Sequence, residues 1–242
     1  CGEVRFCNSQ GGMVQQTRLH KGVLAFLLCA VVCLRQSPGA DFSTWNRRVS
    51  IAFPGYVQAE ALTNFPALVM LGTNISGFSY SQFLSATNAD LRFTDATLTN
   101  ELNYEIESWD TNGISSLWVQ VPLLTNNAFI VALWGKAGQS TPVYTTNGAA
   151  WDTHYKGIWH MAETNSQDST GNRNNGTAHN NIPATGVVGS AQKFDPAGGW
   201  DYVDIPNSAT LENVQEGNYT LSAWFKPRAA PPGTGAGDTA GY

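Results

Sequence analysis

The stretch Tyr104–Asp110 reads YEIESWD: two glutamates two residues apart, then a tryptophan and an aspartate. Paired carboxylates are the working groups of polysaccharide hydrolysis, one as acid and one as base or nucleophile. On an extended strand, side chains alternate between faces. Leu102, Tyr104 and Ile106 then form an apolar face, and Asn103, Glu105, Glu107 and Trp109 form the opposite one. Neighbouring acids on one strand face have Cα atoms about 7 Å apart. Inverting glycosidases hold their carboxyl groups about 6.5–9.5 Å apart and retaining ones about 5–5.5 Å, so spacing alone permits a pair. A general acid also needs burial to raise its pKa, and the polar neighbours on this face supply none. The leading expectation is therefore a solvated face without catalytic residues; the second reading is that Glu105, Glu107 and Trp109 contact a ligand there, although packing is the commoner fate of a strand tryptophan. A flat indole matches the C–H face of a sugar ring. A hydrolase using Glu105 and Glu107 is the alternative.

Other residues compete for attention. Trp200, at the turn AGGW (197–200), is the second candidate for an exposed stacking platform. Trp118, Trp134, Trp159 and Trp224 lie in apolar patterns and are expected in the core. The loop DSTGNRNN (168–175) concentrates oxygen atoms, and Asp168, Asn172 and Asn175 are candidate calcium ligands. It lacks the spacing and terminal glutamate of an EF-hand, and an Asn/Gly-rich turn forms without a metal. His154, His160 and His179 show no zinc spacing and are expected to be structural or surface residues. No Gly-x-Ser-x-Gly elbow, phosphate-binding loop or dinucleotide fingerprint occurs.

Short strands must position these residues. Of the 242 residues only 13% are charged, the net charge is −5, and no basic cluster marks a nucleic-acid partner. Apolar residues alternate over short runs, the strand signal. Strands are expected at 47–53, 67–71, 91–94, 102–109, 116–122 and 128–134, with a short helix near 79–84. Turn residues such as Pro54-Gly55 and Asn112-Gly113 punctuate them. The spacing of turns is that of a β-sandwich. Residues 138–150 are small and polar and read as a linker. A second set of strands follows at 157–161, 176–179, 191–194, 202–205 and 219–227. The fold class is all-β, with tandem antiparallel β-sandwiches over 41–137 and 151–242. The end of the chain, PRAAPPGTGAGDTAGY, reads as a loop.

The first forty residues have a different character. Arg18, His20 and Lys21 precede the apolar run Gly22–Leu34, and Ser37, Gly39 and Ala40 follow. Basic, then apolar, then small is the layout of a secretory signal peptide, too short for a comfortable membrane span. All four cysteines (Cys1, Cys7, Cys29 and Cys33) precede residue 40, so cleavage leaves a cysteine-free chain. Translation is expected to start at Met13. From Asp41 onward there are nine basic and seventeen acidic side chains. An acidic, cysteine-free exported chain fits a bacterial secreted, periplasmic or cell-surface protein.

Two ordered sets of motifs resemble known families. NFPALVML (64–71), DLRFTD (90–95), LNYEIESWD (102–110), LWVQVP (117–122) and ALWG (132–135) together resemble the bacterial domain-of-unknown-function family twenty-three forty-one, over about 41–137. That resemblance implies a secreted β-rich domain with no assigned catalytic residues. Some members of the family are joined to proton-channel subunits and others to large surface proteins. GIWHMAE (157–163), DSTGNRNNGTA (168–178), GVVGSAQKF (186–194), DYVDIP (201–206) and YTLSAWFKP (219–227) resemble the start of a concanavalin A-like, laminin-G-like domain. Such domains often bind calcium, and the resemblance implies an incomplete sandwich whose unpaired edges favour aggregation. YEIESWD also resembles the Glu-x-Asp-x-x-Glu signature of laminarinase-type glucanases, but departs from it at the middle acid and at Asp110. The function expected from all of this is a non-catalytic module that binds glycans or other surface ligands. The alternatives are a glucanase-type hydrolase and a periplasmic structural or sensing domain of a membrane-anchored transport complex.

Overall fold

The computed structural model describes residues 41–85, 87–162, 166–195 and 200–226. The expected signal segment, the four cysteines and the Pro/Gly-rich end lie outside the described residues. Seven strands build the first half: β1 (Arg47–Ala52), β2 (Leu62–Gly72), β3 (Arg92–Thr94), β4 (Glu101–Leu102), β5 (Tyr104–Ser108), β6 (Ile114–Leu124) and β7 (Phe129–Trp134). One antiparallel sheet runs β1-β7-β3-β4 and the other β2-β6-β5. Their inner faces share one core, so the all-β sandwich expected from the alternation is what forms.

Alternation explains which side chains fill that core. In β6, Leu117, Val119 and Val121 point inward and are buried, while Trp118 and Gln120 take the other face. Val69 and Leu71 of β2, Tyr104 of β5, Phe93 of β3, and Ile130, Ala132 and Trp134 of β7 complete the cluster. Each fully buried large apolar side chain contributes about 1.5–3 kcal/mol. Pro66 sits inside β2, which is tolerated because β2 is an edge strand and need not donate on its free side. The expected helix near 79–84 is a single 3₁₀ turn, Tyr80–Gln82. Ser79 caps it, and the Gln82 side chain returns to the Ser79 backbone.

The register contains one irregularity with consequences for the site. Ile106 pairs with Leu117, but Ser108 pairs with Ser116, so Glu107 is an extra residue on β5. Such a bulge shifts the alternation by one residue. Beyond it Trp109 no longer shares the outer face with the glutamates. It turns toward the core, edge-on to Tyr80 and Phe83 at ring separations of 5.3 Å each.

Residues 138–150, expected as a linker, pack against the sandwich. Thr145 and Ala150 are buried, and the Tyr144 ring meets Tyr104 edge-on at 5.5 Å. Beyond them lie two short ladders: β8 (Thr177–His179) with β11 (Tyr202–Asp204), and β9 (Ile182–Thr185) with β10 (Ser190–Lys193). The expected strand at 157–161 is reduced to one bridge, Trp159 to Asp168. The described part of the expected strand 219–227 has no regular structure, and Trp224, expected in the core, is 89% exposed. A strand forms only against a partner, and none of the described strands offers one to this segment. Among the described residues no helix is long and apolar enough to cross a membrane.

Candidate functional site

The outer face of β5 and β6 carries Glu105, Glu107 and Trp118, with Glu105 directly opposite Trp118 in the ladder. Strand alternation places the two glutamates there, as the sequence predicts; Trp118, expected in the core, takes this outer face instead. The face is not wet, however. Trp151, His160 and Ser169 come down on it from the following segment. Glu105 accepts hydrogen bonds from Trp151 Nε1 at 2.6 Å and Ser169 Oγ at 2.5 Å. Glu107 accepts from Trp118 Nε1 at 3.0 Å and pairs through the same oxygen with His160 Nδ1. His160 Nε2 lies 3.5 Å from Glu105 Oε1, close enough for charge attraction but outside hydrogen-bond geometry. The imidazole also lies against two indoles, with ring centres 6.4 Å from Trp118 and 5.9 Å from Trp151. Indole faces attract a cation.

This arrangement sets the protonation states. Burial alone would lower the His160 pKa, but the two carboxylates outweigh it and raise it from 6.5 to about 9. Burial would raise the Glu105 pKa, but contacts with His160, Ser169 and Trp151 outweigh it, and the net shift is downward. At neutral pH His160 is therefore a cation, with no free lone pair to act as base, and Glu105 has no proton to give. Access to Glu107 is closed as well. The Glu107 side chain is only 3% exposed, and Gly189, at φ +61°, lies so close above it that a Cβ there would meet Glu107 Oε1 at 2.6 Å. A glycosidic bond has no path to Glu107, while Glu105 keeps 17% exposure at the edge of the site. The carboxylates form a clasp that fastens Trp151, His160 and Ser169 to the sandwich.

Trp109, the expected stacking residue beside these acids, is placed elsewhere by the bulge. Trp109→Ala is expected to lower stability by about 2–3 kcal/mol through lost aromatic packing, while leaving ligand affinity unchanged. Denaturant unfolding and a binding titration on the same sample check both halves.

Asp168 is fully buried, and its carboxylate organises the loop 168–175. Oδ1 accepts from the backbone N–H groups of Ile158 and Thr170, each at 2.9 Å. Oδ2 accepts from Asn174 N at 2.8 Å and Thr170 Oγ1 at 2.9 Å. Asn175 Oδ1 accepts from Asp168 N at 3.0 Å, and Asn172 turns its Nδ2 toward the Tyr155 and Lys156 carbonyls. Calcium needs six to eight oxygens converging on one point. Here the aspartate oxygens already hold four donors and Asn172 presents a donor of its own, so this set of groups does not fit the ion. Among the described residues, no group of three or more His, Cys, Asp or Glu side chains could hold a metal ion.

Trp200 is where its turn context predicts, 88% exposed. Two residues on, Tyr202 of β11 faces His179 of β8 in register, and their rings stack at 4.3 Å and 15°. The Asn180 side chain donates to the Trp200 carbonyl at 3.3 Å. Sequence reading missed this cross-strand ring pair, because neither residue marks the other across 22 intervening positions. It also missed His160 as the partner of the glutamates. Strand parity was the available signal for Trp118, since Leu117, Val119 and Val121 claim the inner face.

Residues 87–169 match a family model described as a domain of unknown function (DUF2341). The match supports the family resemblance of the first domain, and it continues through the packed segment 138–150 as far as Ser169 of the clasp. No curated protein and no solved structure matches the chain.

Proposed function

We propose that this chain is a non-catalytic binding module of a secreted or cell-surface protein, and that its ligand is a carbohydrate. The observation that carries the reading is the group of exposed flat rings at the β8–β11 ladder. Trp200 is 88% exposed and Tyr202 48%, with Tyr202 braced by His179. An exposed indole has no packing reason to stay in water, and a ring held by a neighbour loses little freedom when a sugar stacks on it. The engagement of Glu105 and Glu107 by His160, Trp118, Trp151 and Ser169 supports a role without hydrolysis. The same proposal takes residues 151–242 as the start of a laminin-G-like domain; the two antiparallel ladders are consistent with that.

The test is a glycan array followed by calorimetric titration. Trp200→Ala is expected to weaken binding at least tenfold with an unchanged unfolding midpoint, and a chelator is expected to change nothing, because Asp168 holds hydrogen-bond donors. Binding equally strong in Trp200→Ala, or abolished by the chelator, would overturn the placement of the site. A folded protein that binds no glycan would overturn the function.

A further inference from the structure

The outer face of the β1-β7-β3-β4 sheet carries a cleft of about 370 Å³, lined by Arg48, Ser50, Ala96, Leu98, Phe129 and Val131 together with Val49. Its volume falls in the range of small-molecule sites, roughly 300–1,000 Å³. Register explains its make-up. Arg48, Ser50 and Ala52 of β1 pair with Leu133, Val131 and Phe129 of β7, and all six point away from the shared core. The turn after β3 supplies the remaining wall. Asp95 ties that turn through Thr97, Thr99 and Asn100, and Leu98 is held in it at φ +59°. A branched residue seldom adopts that conformation, and such strain persists only where the surroundings fix it.

Three properties of the cleft point to one kind of ligand. The Arg48 side chain is exposed and makes no hydrogen bond or ion pair with any described residue. Several other cations of this acidic chain are engaged, Arg92 with Glu101, Lys193 with Asp195 and Lys136 over the Trp45 ring, and of the unengaged ones Arg48 is the one that lines the cleft. A guanidinium binds a carboxylate through two parallel hydrogen bonds. Phe129 leaves its ring 42% exposed at the other end of the cleft, opposite Ala52, and Leu98, over the buried Val131, gives an apolar wall for the C–H face of a pyranose. Ser50, exposed and lining the same cleft, offers a hydroxyl for hydrogen bonding.

From this combination we infer that the cleft is a binding site for a hexuronate residue of an acidic polysaccharide, with Arg48 on the carboxylate, Phe129 on the ring face and Ser50 on a ring hydroxyl. The inference rests on the glycan-binding reading and assigns a second site, on a different sheet from Trp200.

Calorimetric titration of the full chain with oligogalacturonate and with the matching neutral galacto-oligosaccharide tests it. The acidic sugar should bind more tightly and lose affinity as salt rises. Arg48→Gln should weaken the acidic sugar at least tenfold without changing the circular dichroism spectrum or the neutral-sugar affinity. Phe129→Ala should weaken it too. Arg48→Lys should recover only part of the affinity, because an ammonium cannot make the paired contact. No uronate binding, or uronate binding indifferent to Arg48→Gln, would overturn the proposal. Neutral-sugar binding lost in Trp200→Ala, with no uronate preference, would overturn this inference and leave the glycan-binding reading standing.

Discussion

Asp168→Ala is expected to be the most damaging single substitution in the second half, lowering the unfolding free energy by about 4 kcal/mol or more. The fully buried carboxylate accepts three backbone N–H groups, from Ile158, Thr170 and Asn174, and the Thr170 hydroxyl. Each buried donor left without an acceptor costs about 1–3 kcal/mol. Some relaxation toward water keeps the total below the simple sum. Asp168→Asn should not rescue it, since an amide offers one acceptor and places an N–H₂ group where another donor already points. Denaturant melts of both variants, with and without a chelator, check the account. Both should be destabilised and neither melt should respond to the chelator. A wild-type melt that shifts on chelation would mean that a cation, not the donor set, holds the loop.

Removing the imidazole of His160 should cost about 3 kcal/mol, because it leaves Glu105 and Glu107 facing each other without their shared counter-charge. The same interaction predicts a pH dependence. The pKa of His160 in the folded protein, about 9, lies above its ordinary 6.5. Its stabilisation is therefore complete below about pH 6.5 and is lost as pH rises through about 9. At about 1.4 kcal/mol per pKa unit, the shift amounts to roughly 3 kcal/mol. Glu105 works in the opposite sense. Its folded pKa is depressed, so its contribution is present above about pH 4.3, the usual value for glutamate, and is lost as pH falls through the depressed one. The two together give a plateau between about pH 4.5 and 6.5. His160→Gln should flatten the alkaline limb of the stability curve while leaving a lower plateau. An alkaline limb as steep in His160→Gln as in the wild type would show that another group produces it.

What the sequence reveals here follows the range of each interaction. Alternation is local, so Leu117, Val119 and Val121 announce their sheet face, and Glu105 and Glu107 are correctly placed opposite Tyr104 and Ile106. The bulge at Glu107 carries no glycine or proline to mark it, so the turning of Trp109 into the core leaves no trace in the spacing. The clasp joins Glu105 and Glu107 to His160 and Ser169 more than fifty positions away, and no periodicity links them. Residues 138–150 have the small, polar composition of a linker. Yet Thr145 and Ala150 are small enough to fit beneath their neighbours, which composition alone does not distinguish from solvent exposure. The Asp168 loop shows the same limit: oxygen-rich side chains read equally well as metal ligands or as acceptors for a tightly folded backbone, and only the directions of the N–H groups decide between them.

Central to this reading is that Glu105 and Glu107 share the His160 cation as a clasp and are not a catalytic pair. The most direct measurement is an NMR titration of the His160 ring in the folded chain. A ring that stays protonated through neutrality and titrates near pH 9 is the expected result. A ring that titrates at or below pH 6.5 would leave a neutral imidazole between two glutamates at physiological pH, and would contradict the clasp.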